Sequence, residues 1–313
     1  MDNPVSRFKD FLSENSKILP DLNPVPPEIN RRKCTGCGIC AKVCPGLVID
    51  IVDKKAVHLN TLYCAECGHC AAVCPAGAIE DHSGADDGNK IYKDKDMPSP
   101  AALEAFFRIR RSVRNYKEKP VSRKDLKKII DAGRYAPVGG NRPDVHYIVI
   151  SDPKDAARIS ALVLESVHRM FTLLDNIFVY WFVCAVIGRA NAKTIKFYIP
   201  VVKYFYELRK KYGVDRIFYD APAIVITHGK KYDDSIPFSC SVALYQASLM
   251  AQTLGIGCCF NGFLQVAINW DRKINKLFEI PKGHKCYGAM GLGYQKHKFL
   301  RSVRRREAQV KWR

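Results

Sequence analysis

Eight of the thirteen cysteines lie between Cys34 and Cys74, and no other feature of the sequence is so well placed to do chemistry. Cys34, Cys37, Cys40 and Cys44 precede Pro45 in a C-x-x-C-x-x-C-x-x-x-C-P run; Cys64, Cys67, Cys70 and Cys74 precede Pro75 in a second. Three thiolates at three-residue steps can hold three corners of a cubane, while the fourth reaches the other cluster. Cys34, Cys37, Cys40 and Cys74 are therefore assigned to one 4Fe-4S centre, and Cys64, Cys67, Cys70 and Cys44 to a second. Structural zinc is the competing reading. Zinc prefers two well-separated C-x-x-C knuckles per ion, and the third cysteine and trailing proline count against it. Gly36, Gly38 and Gly68 suit a backbone whose amides turn toward cluster sulfides.

A second candidate site begins at Arg110-Arg111-Ser112-Val113-Arg114, three guanidinium groups and a hydroxyl at the end of an expected helix. Planar, multi-donor arginine is suited to a phosphate and a polar chain. Further motifs follow in order: Ala136-Pro137-Val138-Gly139-Gly140-Asn141-Arg142-Pro143, Ala221-Pro222-Ala223, Leu254-Gly255-Ile256-Gly257 running on to Asn261-Gly262, and Gly291-Leu292-Gly293-Tyr294.

This ordered set, over about 106–306, resembles the nitroreductase family of FMN enzymes, and the cysteine stretch resembles bacterial two-cluster ferredoxins. The resemblance implies that Arg110, Arg111, Ser112 and Arg114 hold the ribityl phosphate and pyrimidine edge of FMN. It further implies that Asn141 contacts the isoalloxazine or ribityl chain, that Asn261 and Gly262 pass beside flavin N5, and that Lys296, Arg301 and Arg304 are candidates for the phosphate. It also implies an intertwined homodimer with FMN at the subunit interface. Val138 and Gln295 depart from the serine and proline common in the family.

The elements that must position these residues alternate in type. Ser99-Pro100 starts a helix, since proline is tolerated in a first turn. Ser122 with Asp125 resembles a capping box, opening a helix striped by Leu126, Ile129 and Ile130 and closed at Gly133. Strands are expected over 145–150, 224–227 and 256–260, and helices over 238–254 and 268–278. Intermingled helices and strands indicate an α+β domain, a central sheet flanked by helices. The expected organisation is a lead-in over 1–30, a ferredoxin domain over 31–82, a linker over 83–98 and the FMN domain over 99–313. The apolar run Ile177–Ile187 is too short to span a bilayer, which needs about 20 residues. A buried or dimer-interface helix is the favoured reading, ahead of a substrate lid or membrane-facing patch.

Charge adds a partner class. Of the net +19, residues 1–96 carry 12 Lys+Arg against 14 Asp+Glu, and residues 97–313 carry 38 against 17. The basic half suits a phosphate-bearing cofactor first and an acidic redox partner second. No zinc-finger, homeodomain or RNA-binding signature accompanies it, which argues against nucleic acid. Residues 1–20 lack the apolar core of a signal peptide, which points to a cytoplasmic protein. An odd, clustered cysteine set in such a chain favours metal ligation over disulfides.

These readings converge on electrons passing from a low-potential donor through two 4Fe-4S clusters to FMN, which reduces a nitroaromatic, quinone or similar conjugated acceptor. The donor would be acidic, such as ferredoxin or flavodoxin, or else NAD(P)H. A dedicated reductase of one metabolite, and a non-catalytic electron carrier or redox sensor, are the alternatives. Membrane association is not expected.

Overall fold

The structure is a computed structural model that describes residues 24–59, 61–80 and 90–313. The described residues divide into two compact units, one drawn from 1–98 with 140–142 and the other from 99–139 with 143–313. Most of the expected lead-in, and residues 83–89 of the expected linker, lie outside the described residues.

The first unit is built twice over. Short helices α1 (Ile39–Val43) and α2 (His69–Ala72) each start from a left-handed glycine, Gly38 at φ 75° and Gly68 at φ 68°. These are conformations that glycine adopts at little cost. Strand β1 (Glu28–Ile29) pairs antiparallel with β4 (Ile79–Glu80), and β2 (Ile49–Val52) with β3 (Lys55–His58). A Cβ on Gly36 would stand 2.1 Å from the Lys54 carbonyl oxygen, so only glycine lets the first cysteine loop pack against the β2–β3 turn. The packed core is three cysteines, three alanines and two isoleucines: Cys34, Cys40 and Cys70, then Ala56, Ala71 and Ala78, then Ile49 and Ile79.

The second unit is an α+β domain around a four-stranded antiparallel sheet. Helices α3 (Pro100–Ile109) and α4 (Arg123–Arg134) are capped by the side chains of Ser99 and Ser122. Strand β5 (His146–Ile150) leads into α5 (Pro153–Leu173), α6 (Ile177–Ile187) and α7 (Arg189–Tyr212). Then come β6 (Ala223–Lys230), α8 (Ser235–Thr253), β7 (Ile256–Phe260), α9 (Gly262–Trp270), α10 (Arg272–Leu277) and β8 (His284–Tyr294). The sheet order is β5-β6-β8-β7.

Side chains alternate across a strand, and β6 uses that period to separate two cores. Ile224 and Ile226 pack with Val163 and Val167 of α5 and Leu264 and Ile268 of α9. Ala223 and Val225 pack with Ile129 of α4 and Leu244 of α8. Helices thus cover both faces. The single helix expected over 268–278 is instead α9 and α10, interrupted where the Asp271 side chain accepts from the Lys273 amide and restarts the helix. No single helix among the described residues is long and apolar enough to cross a membrane; α5 and α6 qualify only as a pair, bent by 101°.

Candidate functional site

In the first unit the two cysteine runs interleave. Cys34, Cys37, Cys40 and Cys74 line one cavity, and Cys44, Cys64, Cys67 and Cys70 line another. Helices α1 and α2 place Cys40 and Cys70 in the core, and the backbone after each run turns an amide onto its last sulfur. Val48 donates to Cys44 Sγ at 3.3 Å, and Ala78 donates to Cys74 Sγ at 3.3 Å. The Ala56 amide does the same for Cys34 at 3.3 Å, and holds that thiol below its ordinary value. Burial pushes the Cys70 thiol up to about 11. Among the described residues, no three histidine, cysteine or acidic side chains are arranged to hold a single metal ion. Each set of four sulfurs surrounds a space instead.

In the second unit the segment from Arg110 to Tyr116 runs along the edge of the sheet. Ser112 bridges Cys258 in parallel, and Val113 donates its amide to the Cys258 carbonyl at 2.9 Å. Val113 is buried against Gly257, and the Tyr116 hydroxyl donates to the Val113 carbonyl at 2.7 Å. The backbone is therefore fixed at Val113 and Tyr116, with the arginines between and before those points. Arg110 Nη1 and Arg111 Nε and Nη2 are buried and meet no hydrogen-bond partner in the protein. Buried guanidinium nitrogens without partners are costly. An anion placed there would satisfy them, so these residues fit a phosphate-bearing cofactor.

Two cavities share these arginines. One of about 230 Å³ also touches Ser248, Gln252, Gln295 and Lys298; the other, of about 600 Å³, touches Arg108, Ser302, Arg304 and Arg305. Of the late basic candidates, Arg304 joins Arg110 and Arg111, whereas Lys296 and Arg301 line neither cavity. Lys298 was not singled out from the sequence; in a tail holding eight Lys+Arg, nothing separates it from its neighbours. Cys259 was also missed. Its thiol meets the side chains of Arg114 and Ser112, although burial is what chiefly raises its pKa.

The remaining expected contacts are placed differently from one another. Gly262 opens α9, where a helix leaves its first N–H groups without intrahelical partners. Asn261 is spent on structure: its side chain accepts from the Leu264 amide at 2.8 Å and donates to the Ile217 carbonyl at 2.6 Å, and its own amide donates to Ala289. Asn141 groups with the first unit, donating to the carbonyls of Ala65 and Glu66 at 3.2 and 2.9 Å.

Comparison with known families decides the relationship. A model described as "Nitroreductase family" matches residues 108–294. The chain belongs to the nitroreductase family. Ahead of its nitroreductase domain it carries a 4Fe-4S dicluster domain, matched over residues 33–78. A nitroreductase with bound FMN from Bacteroides fragilis is similar at 20% identity and a TM-score of 0.50, over 67% of this chain and 97% of that one. A second, with bound FMN from Desulfitobacterium hafniense, is similar at 19% identity and a TM-score of 0.47, over 66% and 97%. A BluB-like flavoprotein from Clostridium difficile 630 is similar at 18% identity and a TM-score of 0.48, over 67% and 99%. No curated protein matches the chain. The two domains together make this nitroreductase an iron-sulfur flavoprotein oxidoreductase.

Proposed function

We propose that this nitroreductase takes electrons from a low-potential donor through two 4Fe-4S clusters onto FMN, for delivery to a nitroaromatic, quinone or similar conjugated acceptor. The observation that carries the reading is the sorting of eight cysteines into two cavities of four, each combining three residues of one run with the last of the other. Such crossing is how a duplicated cysteine run serves two clusters, so the clusters would be held by Cys34, Cys37, Cys40 and Cys74, and by Cys64, Cys67, Cys70 and Cys44. The amides of Val48, Ala78 and Ala56 would tune them through hydrogen bonds to sulfur.

Arg110, Arg111 and Ser112 would hold the FMN phosphate, joined by Arg304 and Lys298, which share cavities with the two arginines. Arg114 and Gly262 would face the ring, with the Gly262 amide supplied by the open first turn of α9. When bound, the clusters supply single electrons and the flavin stores two before passing them on. A homodimer is part of the proposal, as is a donor that is either an acidic carrier such as ferredoxin or flavodoxin, suited to the basic second half, or NAD(P)H. The same holds for the division into a ferredoxin domain over 31–82 and an FMN domain over 99–313, joined by 83–98.

Anaerobically purified protein should contain eight iron and eight sulfide per flavin, the stoichiometry of two cubanes. Replacing Cys34 and Cys64 by serine should then abolish reduction of the bound flavin by a low-potential carrier while leaving flavin content unchanged. Undiminished reduction would refute the route through the clusters, and zinc in place of iron would refute the clusters themselves.

A further inference from the structure

Helix α6 is apolar all round, yet one of its faces is turned to solvent. Val179 and Val183 pack inward against the core, while Ile177, Phe178, Trp181, Phe182 and Val186 form an outward stripe at helical spacing. Phe178 is 80% exposed and Phe182 70%. Phe197 and Tyr204 of α7 are exposed as well, at 71% and 62%. An exposed apolar surface of this kind marks an interaction site.

Charge selects the occupant. Residues 177–206 contain four basic residues and no acid; Lys203 is paired with Asp175 just before them, which leaves Arg189, Lys193 and Lys196 as the excess charge. The cations stand among the aromatics: Lys196 Nζ lies 4.6 Å from the centre of the Tyr180 ring, and the Arg189 guanidinium 6.0 Å from that of Trp181. A second copy of this face would bring like charge against like. A surface that is apolar inside and negative at its edge would meet both features.

We infer that α6 and the start of α7 form a docking face for an anionic lipid bilayer, with Phe178, Trp181 and Phe182 entering the interface and Arg189, Lys193 and Lys196 reaching the headgroups. Eleven residues of helix extend about 16 Å, roughly half of a bilayer's hydrocarbon core, so α6 lies in the interface and does not span it. The shortness of the run, which argued against a span, is no obstacle here. The aromatic side chains come from α6 and the snorkelling cations from α7, so the two helices together supply the parts that an interfacial surface combines. This inference stands apart from the proposed electron route and requires neither cofactor.

Sedimentation of the full-length holoprotein with vesicles tests it. Binding is expected to vesicles of phosphatidylglycerol mixed with phosphatidylcholine, with a blue shift of tryptophan emission, and to weaken as salt rises. Lys193→Gln with Lys196→Gln should lower the partition coefficient roughly 30-fold, the weight of two cations near a charged surface. Phe178→Ser with Trp181→Ser and Phe182→Ser should abolish binding without shifting the thermal transition. Should the triple variant fail to fold, the charge variant still decides, because its side chains lie outside the core. No binding at low salt, equal binding to pure phosphatidylcholine, or loss of an oligomer in the triple variant without vesicle binding would each overturn the inference, the last by making a second copy the occupant.

Discussion

Gly257 shows how one missing side chain sets the arginine site. A Cβ there would lie 2.5 Å from Val113 Cγ2 and within 3.0 Å of the other two side-chain carbons, while the Val113 amide is tied to the Cys258 carbonyl. Neither partner can retreat cheaply, and overpacking of this kind costs about 1–3 kcal/mol. Gly257→Ala should therefore displace Arg110–Ser112, lowering FMN affinity by about tenfold or more, as read by flavin fluorescence titration. Adding Val113→Gly removes all three clashing carbons, the Cβ at 2.7 Å included, and should restore part of that affinity; a double variant no better than the single one would show that the glycine acts otherwise. The sequence exposed the arginines by their run and their place after a helix. It could not show that three of their nitrogens are buried without partners, because that depends on which backbone closes over them. Asn261 illustrates the opposite case, a motif residue whose side chain is consumed by capping α9, and Asn also ranks among the common helix caps.

At the scale of elements, the best-read segments were those with local signals: serine caps at α3 and α4, and the β-branched run of β6. Strand β8 was missed as an element, because Gly288, Gly291 and Gly293 depress its strand propensity. The tertiary contacts explain them, since a Cβ on Gly293 would strike Pro222 and Tyr116 at 2.6 and 2.7 Å. The sheet also creates a cluster invisible along the chain. Register pairs His146 of β5 with His228 of β6, and His284 at the head of β8 brings its Nδ1 to 3.1 Å from that of His228. Burial first, then His146 and His284, push His228 from 6.5 down to about 4. His284 is lowered too, by burial, by His146 and by Lys230, with Asp144 opposing. The unfolded chain takes up the His228 proton near pH 6.5 and the folded one only near pH 4, so stability falls as pH drops through that window, by at most about 3 kcal/mol. The difference in urea midpoint between wild type and His228→Asn should shrink or reverse from pH 7 to pH 4.5. Parallel curves would remove His228 as the cause.

For the whole molecule, the composition shift at the linker and the two motif sets made a two-part chain legible, while the helical insertion of 151–220 carried no motif to fix its packing. The two parts should also differ in what holds them together. The second unit buries large aliphatic side chains on both sides of its sheet, among them Ile129, Leu164, Ile224, Ile226, Leu244 and Met290. The first packs around cysteine and alanine, with Ile49 and Ile79 as the large aliphatics in its cluster. A unit this small, with so little apolar volume, cannot offset the entropy of ordering its loops from burial alone. Its stability must come mainly from ligation, as in other small metal-dependent domains. Stripping iron with a chelator under oxidising conditions should therefore unfold residues 24–80 while leaving the second unit folded. Hydrogen exchange is the measurement: protection should vanish in β2, β3 and α1 and persist in β6 and α8. Persistent protection across 24–80 in iron-free protein would mean that the cysteines are ordinary core residues, and the electron route proposed for them would go with it.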